Sequence, residues 1–187
     1  MKIVGLAGAL ASGKDSLANY LVDYHKFCHV STGDLVRQIA MKRYGSIERP
    51  VLYKTANELR SERGHGVLGE MALEYYESVK DKYPGGLIVS GFRALAEAQT
   101  VRDAGGTIIY TDAPFERRFN WMKGRGRDKE TKITPEEFKK READENGGVD
   151  PAFNISAIKP IANTVIENDG TYEEFLSKFL KAIGLSE

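Results

Sequence analysis

Gly8-Ala9-Leu10-Ala11-Ser12-Gly13-Lys14 is the stretch whose reading decides the fold. It spells G-x-x-x-x-G-K. The apolar run Ile3-Val4-Gly5-Leu6-Ala7 leads directly into it, and a helical pattern follows it. This context says more than the letters. A strand, a glycine-rich turn and a helix start in register aim several backbone N–H groups and the positive end of a helix at one point. A polyphosphate fits there, with Lys14 reaching its β- and γ-phosphates. Gly8, Ala11, Ser12, Gly13, Lys14, Asp15 and Ser16 are therefore the candidate residues of an ATP site.

Outward from this loop, five short apolar runs read as strands, over 3–7, 27–30, 87–90, 107–111 and 164–167. Their hydrophobicity is continuous rather than alternating, as in parallel strands buried on both faces. Helical segments separate them. One runs from the loop to Tyr24, one follows Gly33 and stops at Gly45, one follows Pro50 and stops at Gly64, and one runs from Val67 to Lys82. In the last of these, Val67, Met71, Tyr75 and Val79 share a face, which predicts a core stripe. Proline after Ala113 marks another helix start. Thr134-Pro135-Glu136-Glu137 and Thr171-Tyr172-Glu173-Glu174 both read as capping boxes. The last helix is predicted to bury Phe175, Leu176, Phe179, Leu180 and Ile183 and to end at Gly184. The alternation predicts an α/β fold: three layers, with a five-stranded parallel sheet flanked by helices. In such sheets ligands bind at the carboxyl ends of the strands.

The second strand leads into Ser31-Thr32-Gly33-Asp34-Leu35-Val36-Arg37, and the third into Ser90-Gly91-Phe92-Arg93 with Gln99 beyond. The fourth leads, through a helix, into Lys123-Gly124-Arg125-Gly126-Arg127. On these segments the chain resembles the P-loop nucleoside monophosphate kinases, adenylate kinases most visibly. S-T-G-D-L-V-R is similar to their AMP-holding segment. S-G-F-R-A-L-A-E-A-Q is similar to their D-G-F-P-R…Q-A segment with one residue fewer. R-G-R resembles the start of their mobile lid, and the N-x-G turn after the last strand is shared by related small kinases. The G-K-D loop is also similar to those of phage-type deoxynucleoside monophosphate kinases and animal-type phosphomevalonate kinases. The S-x-G-D…R and G-F-R segments resemble archaeal and bacterial dephospho-CoA-kinase-like proteins.

The resemblance implies a single P-loop NTPase-fold kinase domain over 1–187. Its core would be 1–34, 84–123 and 134–187, with a helical acceptor-binding insert over about 35–83 and a short lid over about 124–133. It implies that Lys14 and the loop amides hold Mg-ATP and that Arg117 stacks on the donor adenine. Thr32, Asp34, Arg37 and Gly91 would bind the acceptor. Arg93 would clamp its phosphate, and Gln99 would read its base. Arg125 and Arg127 would close over the donor phosphates, and Arg141 would reach the transferring phosphoryl group. Lys14, Arg93, Arg125, Arg127 and Arg141 would thus be the catalytic set. Arginine suits this work because its planar fork binds phosphate at two points and stays charged.

Two departures concern Mg²⁺. The loop lysine is followed by Asp15 instead of the usual Ser or Thr, and the third strand ends in Ser90 instead of an acidic residue. An exchange accounts for both: the carboxylate has moved to the loop and the hydroxyl to the strand end, keeping the charge around the metal. Asp15 is then the metal residue, with Ser16, Asp34 and Ser90 as further candidates; the other reading of Asp15 is a helix-dipole role in the first turn.

The remaining sequence mostly excludes. The 187 residues carry 27 Lys+Arg against 27 Asp+Glu, so no bulk charge draws the chain to nucleic acid. One cysteine, Cys28, allows no internal disulfide and reads as a small buried hydrophobe. No apolar run approaches the roughly 18 residues of a membrane span, and a strand starting at Lys2 leaves no room for a signal peptide. A cytoplasmic protein with nucleotide substrates is expected, as a monomer or small homo-oligomer. His25, His29 and His65 are too scattered for a metal cluster. Trp121 reads as core, and Arg117 and Arg118 read either as a planar cation stacked on the donor adenine or as solvated surface residues. Three functions stand: a nucleoside monophosphate kinase, a small-molecule P-loop kinase such as dephospho-CoA kinase, and a regulatory nucleotide-binding NTPase. The last lacks the N-K-x-D of a GTPase.

Overall fold

The computed structural model describes residues 2–125, 132–148 and 154–185. Five parallel strands form one sheet in the order β2-β3-β1-β4-β5. They are β1 (Ile3–Gly8), β2 (Phe27–Ser31), β3 (Gly86–Ser90), β4 (Thr107–Asp112) and β5 (Thr164–Glu167). All five expected strands are present, each within a residue at its ends. The helices are α1 (Lys14–His25), α2 (Thr32–Tyr44), α3 (Arg49–Arg63), α4 (Val67–Val79), α5 (Leu95–Asp103), α6 (Phe115–Arg125), α7 (Pro135–Ala143) and α8 (Tyr172–Ala182).

The central strand explains the continuous hydrophobicity. β1 pairs with β3 on one side and β4 on the other, and all six of its residues are buried. Side chains alternate between the two faces. Val4 and Leu6 pack on Leu17 and Leu21 of α1 and on Phe175 and Phe179 of α8. Ile3 and Ala7 face Ala72 and Tyr76 of α4 and Ala98 and Val101 of α5. A smaller cluster joins Val36 of α2, Ala56 and Leu59 of α3, and Val67 and Leu68 of α4.

Both capping boxes are formed, at Thr134 with Glu137 and at Thr171 with Glu174, and all five expected residues Phe175, Leu176, Phe179, Leu180 and, at the C-cap of α8, Ile183 are buried. Three expectations are corrected. The buried face of α4 is Val67, Leu68, Ala72 and Tyr76, while Tyr75 is 48% exposed, because the helix is clasped between the sheet and the α2–α3 pair. Trp121 is 39% exposed and lies under the Arg117 guanidinium rather than in the core. Arg118, one residue away, is the buried one, on the side of α6 that carries Met122. Among the described residues no helix is long and apolar enough to cross a membrane.

Because every strand runs the same way, their carboxyl ends lie at one edge. Ser90 is level with Leu6 and Ser31, and Gly8 with Thr111. The β1–α1, β2–α2, β3–α5 and β4–α6 connections therefore converge there.

Candidate active site at the strand ends

The loop between β1 and α1 is shaped by two glycines. Gly8 has φ +146°, and a Cβ there would lie 2.2 Å from the Thr111 carbonyl oxygen. Gly13 has φ +99°, and a Cβ would lie 2.7 Å from Asn168 Nδ2 and 2.9 Å from the Phe175 ring. No side chain fits at either position without moving backbone or core.

The same neighbours that forbid a side chain hold the loop in place. Ala9 N–H donates to Thr111 O (3.1 Å), and the buried Ser12 hydroxyl bonds Thr111 Oγ1 (2.7 Å). Asn168 Nδ2 donates to Ser12 O (3.2 Å), and Asn168 N–H to Asp112 O (2.7 Å). Arg118 donates through Nε to Ala113 O (2.7 Å) and through a terminal nitrogen to Leu10 O (3.2 Å), and it pairs with Glu142 of α7. The Ser12 side chain is thus turned inward, and its contribution is to the shape of the loop.

Lys14 opens α1 directly after Gly13. Its Nζ lies over the loop, donating to Gly8 O (2.9 Å) and Ala9 O (2.7 Å), with Ser12 Oγ at 3.4 Å. Burial pulls its pKa down to about 8; Glu145 and Asp15 push it back up, and Arg93 and Arg118 push it further down. The charges of Arg93 and Arg118 are therefore both felt by Lys14 at the loop mouth. Two carboxylates answer them, since Glu145 pairs with Arg93 and Glu142 with Arg118. Both come from the end of α7 and the π-helical turn Asp144–Gly148, which borders a small cleft above Ala9 and Leu10.

Most of the residues expected to bind an acceptor gather on the β2 and β3 ends. Thr32 Oγ1 donates to Gly91 O (2.7 Å). Gly91 has φ +79°, and a Cβ there would lie within 3.1 Å of Ser31 Oγ, so the two turns clasp each other. Ser31 caps α2 by accepting from Asp34 N–H, and Asp34 pairs with Arg37 one turn on. Arg93 N–H donates to Glu97 Oε2 (2.8 Å). Gln99 lies outside this cluster, on α5, where its Nε2 donates to Asp103 (2.6 Å). Arg117 also lies to one side. It donates to Gly170 O (3.1 Å) and Asn168 O (3.4 Å) in the turn before α8. Arg125 is exposed at the end of α6, Arg141 is half-buried in the last turn of α7, and Arg127 with most of the expected lid lies outside the described residues.

The metal candidates meet around a histidine that the sequence reading set aside. His29 Nε2 and Ser90 Oγ are 2.8 Å apart across β2 and β3. Desolvation lowers the imidazole pKa, and the charges of Asp15 and Asp34 oppose that shift. Among the described residues no group of three or more His, Cys, Asp or Glu side chains could hold a metal ion. Mg²⁺ does not require one, because it is commonly held by one or two carboxylates together with substrate phosphates and water. Asp15, exposed in the first turn beside the loop, fits that sparse donor set.

Sequence reasoning missed Thr111, Asn168, Arg118, Glu142 and Glu145. Asn168 carried a signal as the N of the N-x-G turn. Arg118 carried one in its helical phase, three residues after Phe115 and four before the buried Met122. The two glutamates carried none, because a charged stretch on α7 reads as a solvated face until α7 is docked on the loop.

No protein-family model matches the chain. It is 28% identical over 181 residues to a UPF0200/UPF0201 protein of Archaeoglobus fulgidus, covering 95% of this chain but about half, 54%, of that longer protein. It is 28% identical to a UPF0200 protein of Thermococcus kodakarensis, with 97% of this chain and 96% of that one aligned. Among solved structures it is similar to TT1252 from Thermus thermophilus, with a TM-score of 0.64, 18% identity and coverage of 100% and 98% of the two chains. A shikimate kinase from Bacteroides thetaiotaomicron superposes with a TM-score of 0.56 at 12% identity over 98% and 99%. The chain shares its fold with these solved structures.

Proposed function

We propose that the chain is a Mg-ATP-dependent phosphotransferase acting on a small acceptor, a nucleoside monophosphate. One observation carries this reading. A loop lysine at a helix N-terminus stands with Arg93 and Arg118 at the mouth of a rigidly held phosphate loop. Phosphoryl transfer asks a protein for positioning and charge neutralisation, with little covalent chemistry of its own.

In the proposed reaction an acceptor phosphate oxygen attacks the γ-phosphorus of ATP while the bond from that phosphorus to the β,γ-bridging oxygen breaks, releasing ADP. Lys14 and the loop amides orient the donor phosphates. Arg93 and Arg37, on neighbouring turns, receive the acceptor phosphate by exchanging Glu145 and Asp34 for it. Thr32 fixes the spacing of those turns through Gly91. An acceptor phosphate is already anionic at neutral pH, so no base is needed. Asp15, with Ser16, Asp34 or Ser90, would hold Mg²⁺, which supplies charge neutralisation between the donor phosphate oxygens.

A second reading, a hydroxyl acceptor such as that of dephospho-CoA, is favoured by the His29–Ser90 pair. A hydroxyl must lose its proton as it is phosphorylated, and a lowered pKa keeps His29 neutral and able to take it.

A coupled ADP-release assay with Mg-ATP tests these readings against AMP, CMP, UMP, GMP, their deoxy forms, dephospho-CoA and phosphomevalonate. Turnover with a nucleoside monophosphate is expected. Turnover with dephospho-CoA alone would move the second reading to first place. Slow hydrolysis indifferent to every acceptor would point to a regulatory NTPase.

A further inference from the structure

A buried ion pair lies away from the loop mouth, between α3 and α5. Arg60 and Glu97 are 5% and 0% exposed, and Arg60 donates to Glu97 Oε1 at 3.1 Å. The other carboxylate oxygen, Oε2, accepts the Arg93 backbone N–H at 2.8 Å, and the Ala94 N–H also bonds this carboxylate. One side chain thus touches two separate parts of the acceptor side: the helical insert and the turn that carries Arg93.

We propose that Glu97 is a positioning residue that fixes the turn carrying Arg93 to the insert carrying Arg37. The connection can be followed through named groups. Val36, next to Arg37, shares an apolar cluster with Leu59 of α3. Arg60 follows Leu59 and bonds Glu97, and Glu97 holds the amide of Arg93. The two arginines assigned to the acceptor phosphate are thereby held at a set spacing. α4 closes the same joint from its other side. A Cβ on Gly69 would lie 2.7 Å from Glu97 O, and one on Gly66 would lie 2.3 Å from Thr100 Oγ1.

Stability alone does not account for the pair. Desolvation raises the Glu97 pKa in spite of its hydrogen bonds and the Arg60 charge, so burial works against the ionised form. Buried ion pairs are often replaced by apolar side chains of like volume without loss of stability. An apolar pair would fill the same space but would leave the Arg93 amide unheld. This inference rests on the assignment of Arg93 and Arg37 to an acceptor phosphate.

The test is the double variant Arg60→Met/Glu97→Met in the full chain, followed by melting temperature, hydrogen exchange of the 91–96 segment, and titration with ADP and with AMP. Methionine fills irregular space without a polar demand. The expected result is melting within about 5 °C of wild type, exchange at 91–96 faster by about tenfold or more, AMP binding weaker by a similar factor, and ADP binding within about twofold. Unchanged exchange and AMP binding would overturn the proposal, as would faster exchange with AMP binding intact. If the wild type binds no AMP, the nucleotide-acceptor reading fails, and the exchange result still decides whether the pair holds the turn. If the double variant does not fold, Glu97→Gln serves with the same readouts, since its NH₂ must face one of the two N–H donors.

Discussion

The two halves of the site are held by different kinds of bond. On the donor side the loop is fixed by buried, mostly neutral hydrogen bonds to Thr111 and Asn168, far along the chain. On the acceptor side Arg37 and Arg93 are held by Asp34 and Glu145 in pairs with substantial solvent contact, the arginine side chains being 52% and 43% exposed. Breaking a buried bond leaves a polar atom unsatisfied at roughly 1–3 kcal/mol. Exchanging a solvent-accessible ion pair for a phosphate costs little, because such a pair is itself worth about 0–1 kcal/mol. In the proposed reading, the donor loop is therefore built to stay, and the arginines assigned to the acceptor are built to change partners.

The largest effect expected from breaking this contrast is at Lys14. Lys14→Met removes the loop's central cation, and turnover is expected to fall by on the order of 10³-fold, read in the coupled assay. Thr111→Val comes next. It keeps the shape of the side chain but leaves the buried Ser12 hydroxyl with only its long contact to Lys14, so a loss of about 1–3 kcal/mol in denaturant unfolding is expected, with weaker ADP binding.

The pH dependence sharpens the donor side further. With the free-protein pKa of Lys14 near about 8, the protonated form that attracts phosphate is present below that pH and is lost above it. ADP affinity should be flat from pH 6 to 7.5 and fall as pH rises through 8 to 9, by at most about tenfold per unit. Lys14→Met should abolish this dependence.

The smallest effect tests the acceptor side. Glu145→Gln removes the carboxylate that pairs with Arg93 and raises the Lys14 pKa. Binding of AMP should tighten by up to about fivefold, the worth of a partly exposed pair, with little change in melting temperature. Weaker binding would mean that Glu145 belongs to the binding apparatus rather than competing with phosphate.

This contrast also separates what the sequence could tell from what it could not. The loop, its helix and all five strands were legible because they are local patterns: Gly8 to Lys14 in order, and short apolar runs between helical segments, although the edge strands β2 and β5 are only partly buried. The S-T-G-D and S-G-F-R segments likewise follow their strands directly. The side chains that stabilise the loop come from elsewhere. Thr111 is about 100 positions from Ser12 and Asn168 more than 150, and only the sheet order brings β4 beside β1 and β5 beside β4. Arg117 and Arg118 show the limit within one helix. The letters are the same, and the phase set by Phe115 and Met122 turns the second inward onto Leu10 while the first lies on Trp121. Gln99 shows the opposite case. The resemblance implied a base reader, and in the structure its side chain bonds Asp103 four residues on.

The most direct test of the central claim is to follow Mg-ATP and the acceptor panel by ³¹P NMR with product masses confirmed. The account predicts that ADP and one phosphorylated acceptor appear in equal amounts, and that both disappear with Lys14→Met. ADP accompanied only by inorganic phosphate, whatever acceptor is present, would contradict it.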